Sequence, residues 1–170
     1  MKHAYAEPEL VENRASLLLF GGTATERRAW ATEAADAFSH EGALREVSQL
    51  TALESALALK GGVVYVPDVL ALGREGQMAL VRCLQLQEER PKFVLGILRS
   101  PVNALADGSL RDDLHYRLSQ ALVNLALPEV QTVIRGRRQE KEKIVAAQKA
   151  VALANKIAMK ARPGTKVARR

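Results

Sequence analysis

The 170-residue chain has a single cysteine, Cys83, so no internal disulfide can form, and no Cys or His residues stand at the paired spacing of a zinc site. Aromatic residues are scarce: one Trp, three Tyr and three Phe leave little surface on which unpaired bases could stack. Long apolar runs are missing too. Leu17–Phe20 is far short of the roughly 20 residues that span a bilayer, and the opening MKHAYAEPELVENR has no apolar stretch of the signal-peptide kind. These absences point to a cytoplasmic protein that does not enter membranes. His3, His40 and His115 are scattered, with no carboxylate or thiol at ligand or triad spacing. No catalytic residue, metal or cofactor is expected, and the chain does not read as an enzyme.

What the chain does have is an uneven charge. The overall +6 comes from 25 Lys+Arg against 19 Asp+Glu. Residues 1–130 hold 13 basic and 17 acidic side chains, net −4, whereas residues 131–170 hold 12 basic and 2 acidic, net +10. With 48% hydrophobic residues the chain can build a core, and its length suits one domain.

Short apolar runs alternate with helical patterns, the signature of a sheet covered by helices. The runs are Leu17–Phe20, a weak one at Leu44–Val47, Val63–Val66, Phe93–Leu98 and Ala121–Leu127. Val63-Val64-Tyr65-Val66 is the clearest, because continuous β-branched and aromatic residues suit a strand buried on both faces. Helices are expected over about Thr25–His40, with Trp30, Ala34, Ala37 and Phe38 on one face, and over Leu50–Leu59. A further helix is expected over Gly76–Glu89, with Met78, Leu80, Val81, Leu84 and Leu86 as its apolar positions and Cys83 on the same side as a small buried hydrophobe. A turn and a short helix should occupy Pro101–Arg117. The expected architecture is a mostly parallel, five-stranded, three-layer α/β domain over 16–130, preceded by an N-terminal extension at 1–15. Residues 131–161 are rich in Ala, Lys, Glu and Gln, with Gly136 the one poor helix former, and read as a single basic helix. Pro163-Gly164 should break it, leaving 162–170 as a disordered basic tail.

Three segments carry a family resemblance. GGVVYVPD at 61–68 resembles the Gly-Gly-led Walker B strand of the AAA+ domain of bacterial enhancer-binding proteins, the sigma-54-dependent transcription activators. QMALVRCLQ at 77–85 is similar to that family's Gln-headed, Leu-rich helix, and SLRDDLHYRLS at 109–119 to the segment bearing its paired arginine fingers, with Arg111 and Arg117 at the family's spacing. The likeness runs from Leu17 to about Pro128 and implies a P-loop NTPase-like fold.

The same resemblance marks what has changed. A phosphate loop needs small residues, so that backbone N–H groups approach the phosphates, and a lysine that reaches the β- and γ-phosphates. Where the family has that loop, this chain reads Gly21-Gly22-Thr23-Ala24-Thr25-Glu26-Arg27-Arg28, with Glu26 in place of the second glycine and Arg27 in place of the lysine. In the Walker B segment, aligning on Gly61-Gly62 puts Pro67 at the Asp position and Asp68 at the Glu position; a one-residue shift makes Asp68 the metal-site residue and Val69 the would-be Glu. Either register loses a carboxylate needed for hydrolysis. Asp68 instead suits a cap or turn. Ser100 stands where the family's polar sensor is usually Asn. The segment SQLTALESALALK replaces the long insertion with the sigma-factor-gripping GAFTGA loop, and the basic helix begins where a helical lid should. Gly21, Gly22, Thr25, Arg27 and Asp68 are therefore expected to form a degenerate, inactive nucleotide site. Arg111 and Arg117 either serve a true AAA+ partner's nucleotide or pair with nearby carboxylates such as Asp112 or Asp113.

The working surface expected from this reading is the basic helix. Arg135, Arg137, Arg138, Lys141 and Lys143 form a cluster that Lys149, Lys156, Lys160, Arg162, Lys166, Arg169 and Arg170 continue. Such a helix attracts polyanions by counterion release, without sequence preference. The leading expectation is a non-catalytic, AAA+-like regulatory or scaffolding protein that binds nucleic acid nonspecifically, or an acidic protein surface of the transcription or signalling machinery. The alternatives are an assembly protein, homo-oligomeric or coiled with a partner through Ile144, Val151 and Ala158, and a weak ATP-binding subunit acting in trans in a mixed AAA+ ring.

Overall fold

The structure, a computed structural model, describes residues 4–162 and 164. The expected disordered tail falls mostly outside these residues, as do His3, Lys166, Arg169 and Arg170. Two compact units divide at Val133 and Ile134.

The first unit is built on five strands: β1 (Leu17–Phe20), β2 (Arg45–Glu46), β3 (Val63–Val66), β4 (Lys92–Gly96) and β5 (Leu122–Asn124). Their order across the sheet is β2-β3-β4-β1-β5, and every neighbouring pair is parallel, with Leu18 opposite both Leu95 and Leu122, and Val64 opposite Phe93. Parallel neighbours cannot be joined by tight hairpins, so helical segments make the connections. β3 and β4 are buried along their whole length, which is why their sequences are continuous rather than alternating. The edge strand β2 is exposed and polar, and is only two residues long. A short charged edge discourages pairing with other chains.

The helices are α1 (Glu7–Glu12), α2 (Ala24–Ala37), α3 (Leu50–Leu57), α4 (Gly73–Leu86), α5 (Pro101–Ala106), α6 (Asp112–Leu118) and α7 (Pro128–Lys160), with 3-10 turns at Ser39–Glu41 and Val69–Leu72. Strand alternation sends Leu18, Val64, Val66, Phe93 and Leu95 into one core layer, with Leu53, Ala56, Leu80, Val81, Ala104, Leu110, Leu114 and Leu118 from α3 to α6 and the segment between α5 and α6. On the other face α2 buries Trp30, Ala31, Ala34 and Ala35. Fully burying one large aliphatic or aromatic side chain contributes about 1.5–3 kcal/mol, so these layers hold the unit together.

Several details differ from the sequence reading. Ala37 is exposed because α2 turns its Ala31 and Ala35 inward instead. α4 starts three residues early and ends at Leu86, so Met78 and Leu86 face out, while Cys83 is buried and its Sγ donates to Gln87 Oε1 at 3.1 Å. The segment 101–117 contains two helices, separated by a turn in which Asp107 Oδ1 accepts from Ser109 N at 3.0 Å.

The N-terminal segment also carries an element that the sequence did not reveal. In α1, Leu10 and Val11 are buried, and Glu7 Oε1 accepts the Trp30 indole N–H at 2.7 Å. The Lys92 ammonium donates to the carbonyls of Leu10 and Asn13 and lies 5.9 Å from the Phe38 ring centre. Lys92 is 1% exposed, and burial pushes its pKa down to about 8.

The second unit, from Ile134 onward, is the continuation of α7. Gly136 lies within the helix and does not interrupt it. Every side chain from Gln139 to Arg162 is exposed.

Candidate functional site

Strand β1 ends at Phe20, and the chain turns sharply through Gly21 (φ 67°) and Gly22 (φ 62°) into α2. Both residues lie in the left-handed region that favours glycine. A Cβ on Gly21 would also come within 2.3 Å of Asn124 Oδ1 and 2.8 Å of Ala126 N, so the loop packs closely against the end of β5. Thr23 caps α2 reciprocally with Glu26: Thr23 Oγ1 accepts from Glu26 N at 3.1 Å, and Glu26 Oε2 accepts from Thr23 N at 2.6 Å. The N–H of Thr23, which a phosphate loop would offer to its ligand, is thus held by a carboxylate from the first turn of α2.

Arg27 completes the closure. One of its guanidinium nitrogens donates to Gly21 O at 2.9 Å and to Gly22 O at 3.0 Å, and the residue is 5% exposed. The loop therefore turns carbonyl oxygens toward a buried cation, the reverse of the N–H-lined concavity that holds phosphates. Arg27 Nε is buried without a hydrogen-bond partner among the described residues. The Tyr65 hydroxyl faces the same guanidinium; burial raises the phenol's pKa, and Arg27 pulls it back part of the way. Thr25 sits in the first turn of α2, exposed.

On the neighbouring strand, β3 stops before Pro67, and Asp68 Oδ1 accepts from Leu70 N at 3.1 Å, capping the 3-10 turn at Val69–Leu72. Ser100 precedes α5 and makes no side-chain cap bond. The structure thus gathers Gly21, Gly22 and Arg27 into one loop and gives Asp68 a separate local role.

The two finger-like arginines behave differently from each other. Arg111 forms a two-pronged pair with Asp113, at 2.9 and 2.7 Å, which raises the arginine's pKa and lowers the aspartate's. Its backbone N–H donates to Gln77 Oε1 at 2.9 Å. Gln77, fully buried in α4, also donates to Ser109 O at 2.9 Å and so ties α4 to the start of α6. Arg117 is exposed at the end of α6. Sequence reasoning noted Gln77 only as the head of a motif and missed its bracing role.

Among the expected polyanion-binding residues, Arg138, Lys149, Lys156 and Lys160 recur at intervals of 11, 7 and 4, which places them on one stripe of α7. Arg135, Arg137, Arg138 and Lys141 also take part in interactions within the chain. Lys143, Lys149, Lys156 and Lys160 are exposed. Large apolar residues are exposed on the same helix: Ile144, Val151, Leu153 and Ile157. Among the described residues, no helix is long and apolar enough to cross a membrane.

The parallel β2-β3-β4-β1-β5 sheet, with a glycine-led turn from β1 into a helix, is a P-loop NTPase-like architecture. Within it the domain resembles the sigma-54 interaction domain. A P-loop NTPase domain of a sigma-54 activator from E. coli aligns with a TM-score of 0.51 at 24% identity, over 69% of this chain and 87% of that one. NtrX from Brucella abortus, in complex with ATP, aligns with a TM-score of 0.55 at 19% identity over 70% of this chain, and a DNA polymerase III gamma subunit-related protein from Thermotoga maritima with 0.52 at 13% over 72%. This chain spans about a third (35%) of the NtrX structure's length and 45% of the Thermotoga protein's. No protein-family model matches the sequence, and no curated protein matches it.

Proposed function

We propose that the chain is a non-catalytic, AAA+-like regulatory or scaffolding protein that works by binding, through the basic face of α7, to nucleic acid without sequence preference. The observation that carries the non-catalytic part is the loop after β1. Arg27 fills it from within and Glu26 holds its Thr23 N–H, so phosphates would meet a carboxylate and two carbonyl oxygens. The binding part is supported by the net +10 of residues 131–170 and by the stripe of Arg138, Lys149, Lys156 and Lys160. Cations at such spacing contact phosphates along a groove and gain affinity by releasing counterions. Arg111, engaged with Asp113, is not poised as a finger for a neighbour's nucleotide.

Two measurements on the full chain test this. Labelled ATP with Mg²⁺ should show no saturable binding at submillimolar concentration; clear saturation overturns the non-catalytic reading. Duplex DNA should bind with an affinity that falls steeply as salt rises, and replacing Lys149, Lys156 and Lys160 together by Gln should weaken it and flatten that dependence by about three ion equivalents. Unchanged DNA affinity in that variant would remove α7 as the interface.

A second reading, assembly through α7, is favoured by the exposure of Ile144, Val151, Leu153 and Ile157. A helix that is apolar on several faces is ordinarily covered. Light scattering decides this point: a monomer at high concentration would exclude self-assembly.

A further inference from the structure

The amino-terminal edge of the sheet holds a cleft of about 820 Å³, within the range of small-molecule sites. Its walls come from the α1–β1 connection (Arg14), the end of α4 and the loop after it (Leu84, Arg90), the end of α6 (Arg117, Leu118), the lead into β5, and Tyr5. Three arginines line it and no carboxylate does. Arg14 is engaged by Glu41, which does not line the cleft and also accepts the N–H of Gly62, while Glu9 and Glu12 line an adjoining hollow that shares Tyr5 and Asn13. Arg90 donates one nitrogen to Gln87 O, leaving its other donors open. The Arg117 side chain makes no hydrogen bond or ion pair with any other described residue. The cleft floor is fixed: Ser16 Oγ accepts from Phe93 N at 3.0 Å, Asn13 Oδ1 accepts from Ala15 N at 3.0 Å, and Tyr5 N donates to Gln120 O at 2.9 Å. Lys92 holds the Leu10 and Asn13 carbonyls from beneath, so the loop carrying Arg14 is anchored.

We infer that this cleft binds a small phosphorylated ligand, with its phosphate between Arg90 and Arg117 and its organic part against Tyr5, Leu84 and Leu118. Guanidinium forks match phosphate oxygens two at a time, and two of them arriving from separate elements suit a dianion better than a single carboxylate. The volume exceeds what inorganic phosphate needs, and the apolar wall gives the remainder of a ligand somewhere to lie. No residue of α7 or of the Gly21-Gly22 turn lines this site.

The test is a titration of the ¹⁵N-labelled full chain with phenyl phosphate and, separately, with inorganic phosphate, followed by amide shifts. Saturable shifts centred on Asn13, Ser16, Leu118 and Ala121 are expected, with phenyl phosphate the tighter of the two. Arg117→Gln at an exposed position and Arg90→Gln at a half-buried one should each weaken binding about tenfold, the loss of one charge-assisted contact. Replacing Lys149 and Lys156 by Gln should leave it unchanged. If shifts gather on α7, if the lysine variant weakens them, or if both arginine variants bind normally, the proposal fails. Equal affinity for the two probes would remove the organic subsite and with it the ligand class proposed. None of these outcomes bears on ATP or DNA binding, which are tested separately above.

Discussion

Two arginines stand at opposite edges of one sheet and differ in what they have left to offer. Arg27, at the carboxyl edge, is buried, and one of its guanidinium nitrogens is taken up by both Gly21 O and Gly22 O. Arg117, at the amino edge, lines a cleft, and its side chain bonds to none of the described residues. In open parallel α/β sheets the carboxyl edge is the place where loops meet a ligand. Here the loop at that edge is filled by Arg27, which is hidden from solvent, whereas Arg90 and Arg117 line a cleft at the other end of the strands. Spare hydrogen-bonding capacity, rather than position in the fold, is the better guide to where a ligand can still be held.

The contrast makes its strongest prediction in stability. Arg27→Ala removes a buried cation bonded to two loop carbonyls and should cost about 3 kcal/mol, read as a fall in the urea midpoint. Arg117→Ala should leave that midpoint within about 0.5 kcal/mol of the parent. Equal losses at both positions would erase the distinction.

The next effect lies beneath the cleft, at Lys92, whose pKa falls from 10.5 to about 8. Unfolded lysine keeps its proton up to the ordinary value, while the folded group releases it near the lower one. Between the two the unfolded state holds more protons, so stability rises with pH across that window. From about pH 7.5 to about pH 9.5, the parent should gain about 2 kcal/mol relative to Lys92→Met. Parallel pH profiles for the two proteins would mean that Lys92 does not titrate there.

A smaller change is expected from Thr23→Ala, which removes the hydroxyl that caps α2 and should cost about 1 kcal/mol in thermal or urea unfolding. A loss several times larger would show that the loop depends on the cap more than on Arg27. The smallest concerns the exposed Arg111–Asp113 pair: Asp113→Asn should not move the unfolding midpoint measurably, since surface ion pairs contribute little. A clear shift would place Arg111 with the structural arginines instead of the surface ones.

The layered sheet was legible in the sequence where burial on both faces leaves a continuous apolar run, as at Val63–Val66 and Leu17–Phe20. It was less legible at β2, because two exposed polar residues make no pattern. The end of α2 and the faces of α4 were misplaced by a residue or more, since Ala and Met sit comfortably inside or outside a core and carry a weak signal. α1 was missed altogether. Its six residues hold their place through Trp30 and Lys92, which lie 23 and 82 residues away from their partners in the chain, and local pattern carries no trace of such contacts. The altered residues at 26 and 27 were visible as substitutions, but that they bond to the loop itself could be seen only once the chain was folded. The cleft was invisible for the same reason: Arg90 and Arg117 belong to separate elements.

The arginine inside the β1–α2 loop has a thermodynamic consequence. A protein whose loop is completed by a bound nucleotide gains stability in proportion to the logarithm of that ligand's concentration, so its folded population follows the cell's supply. Arg27 is covalently part of the chain and is present at a fixed ratio of one to one. A loop that brings its own counter-group has no such concentration term. On the reading proposed above, the domain's folded population is uncoupled from nucleotide supply.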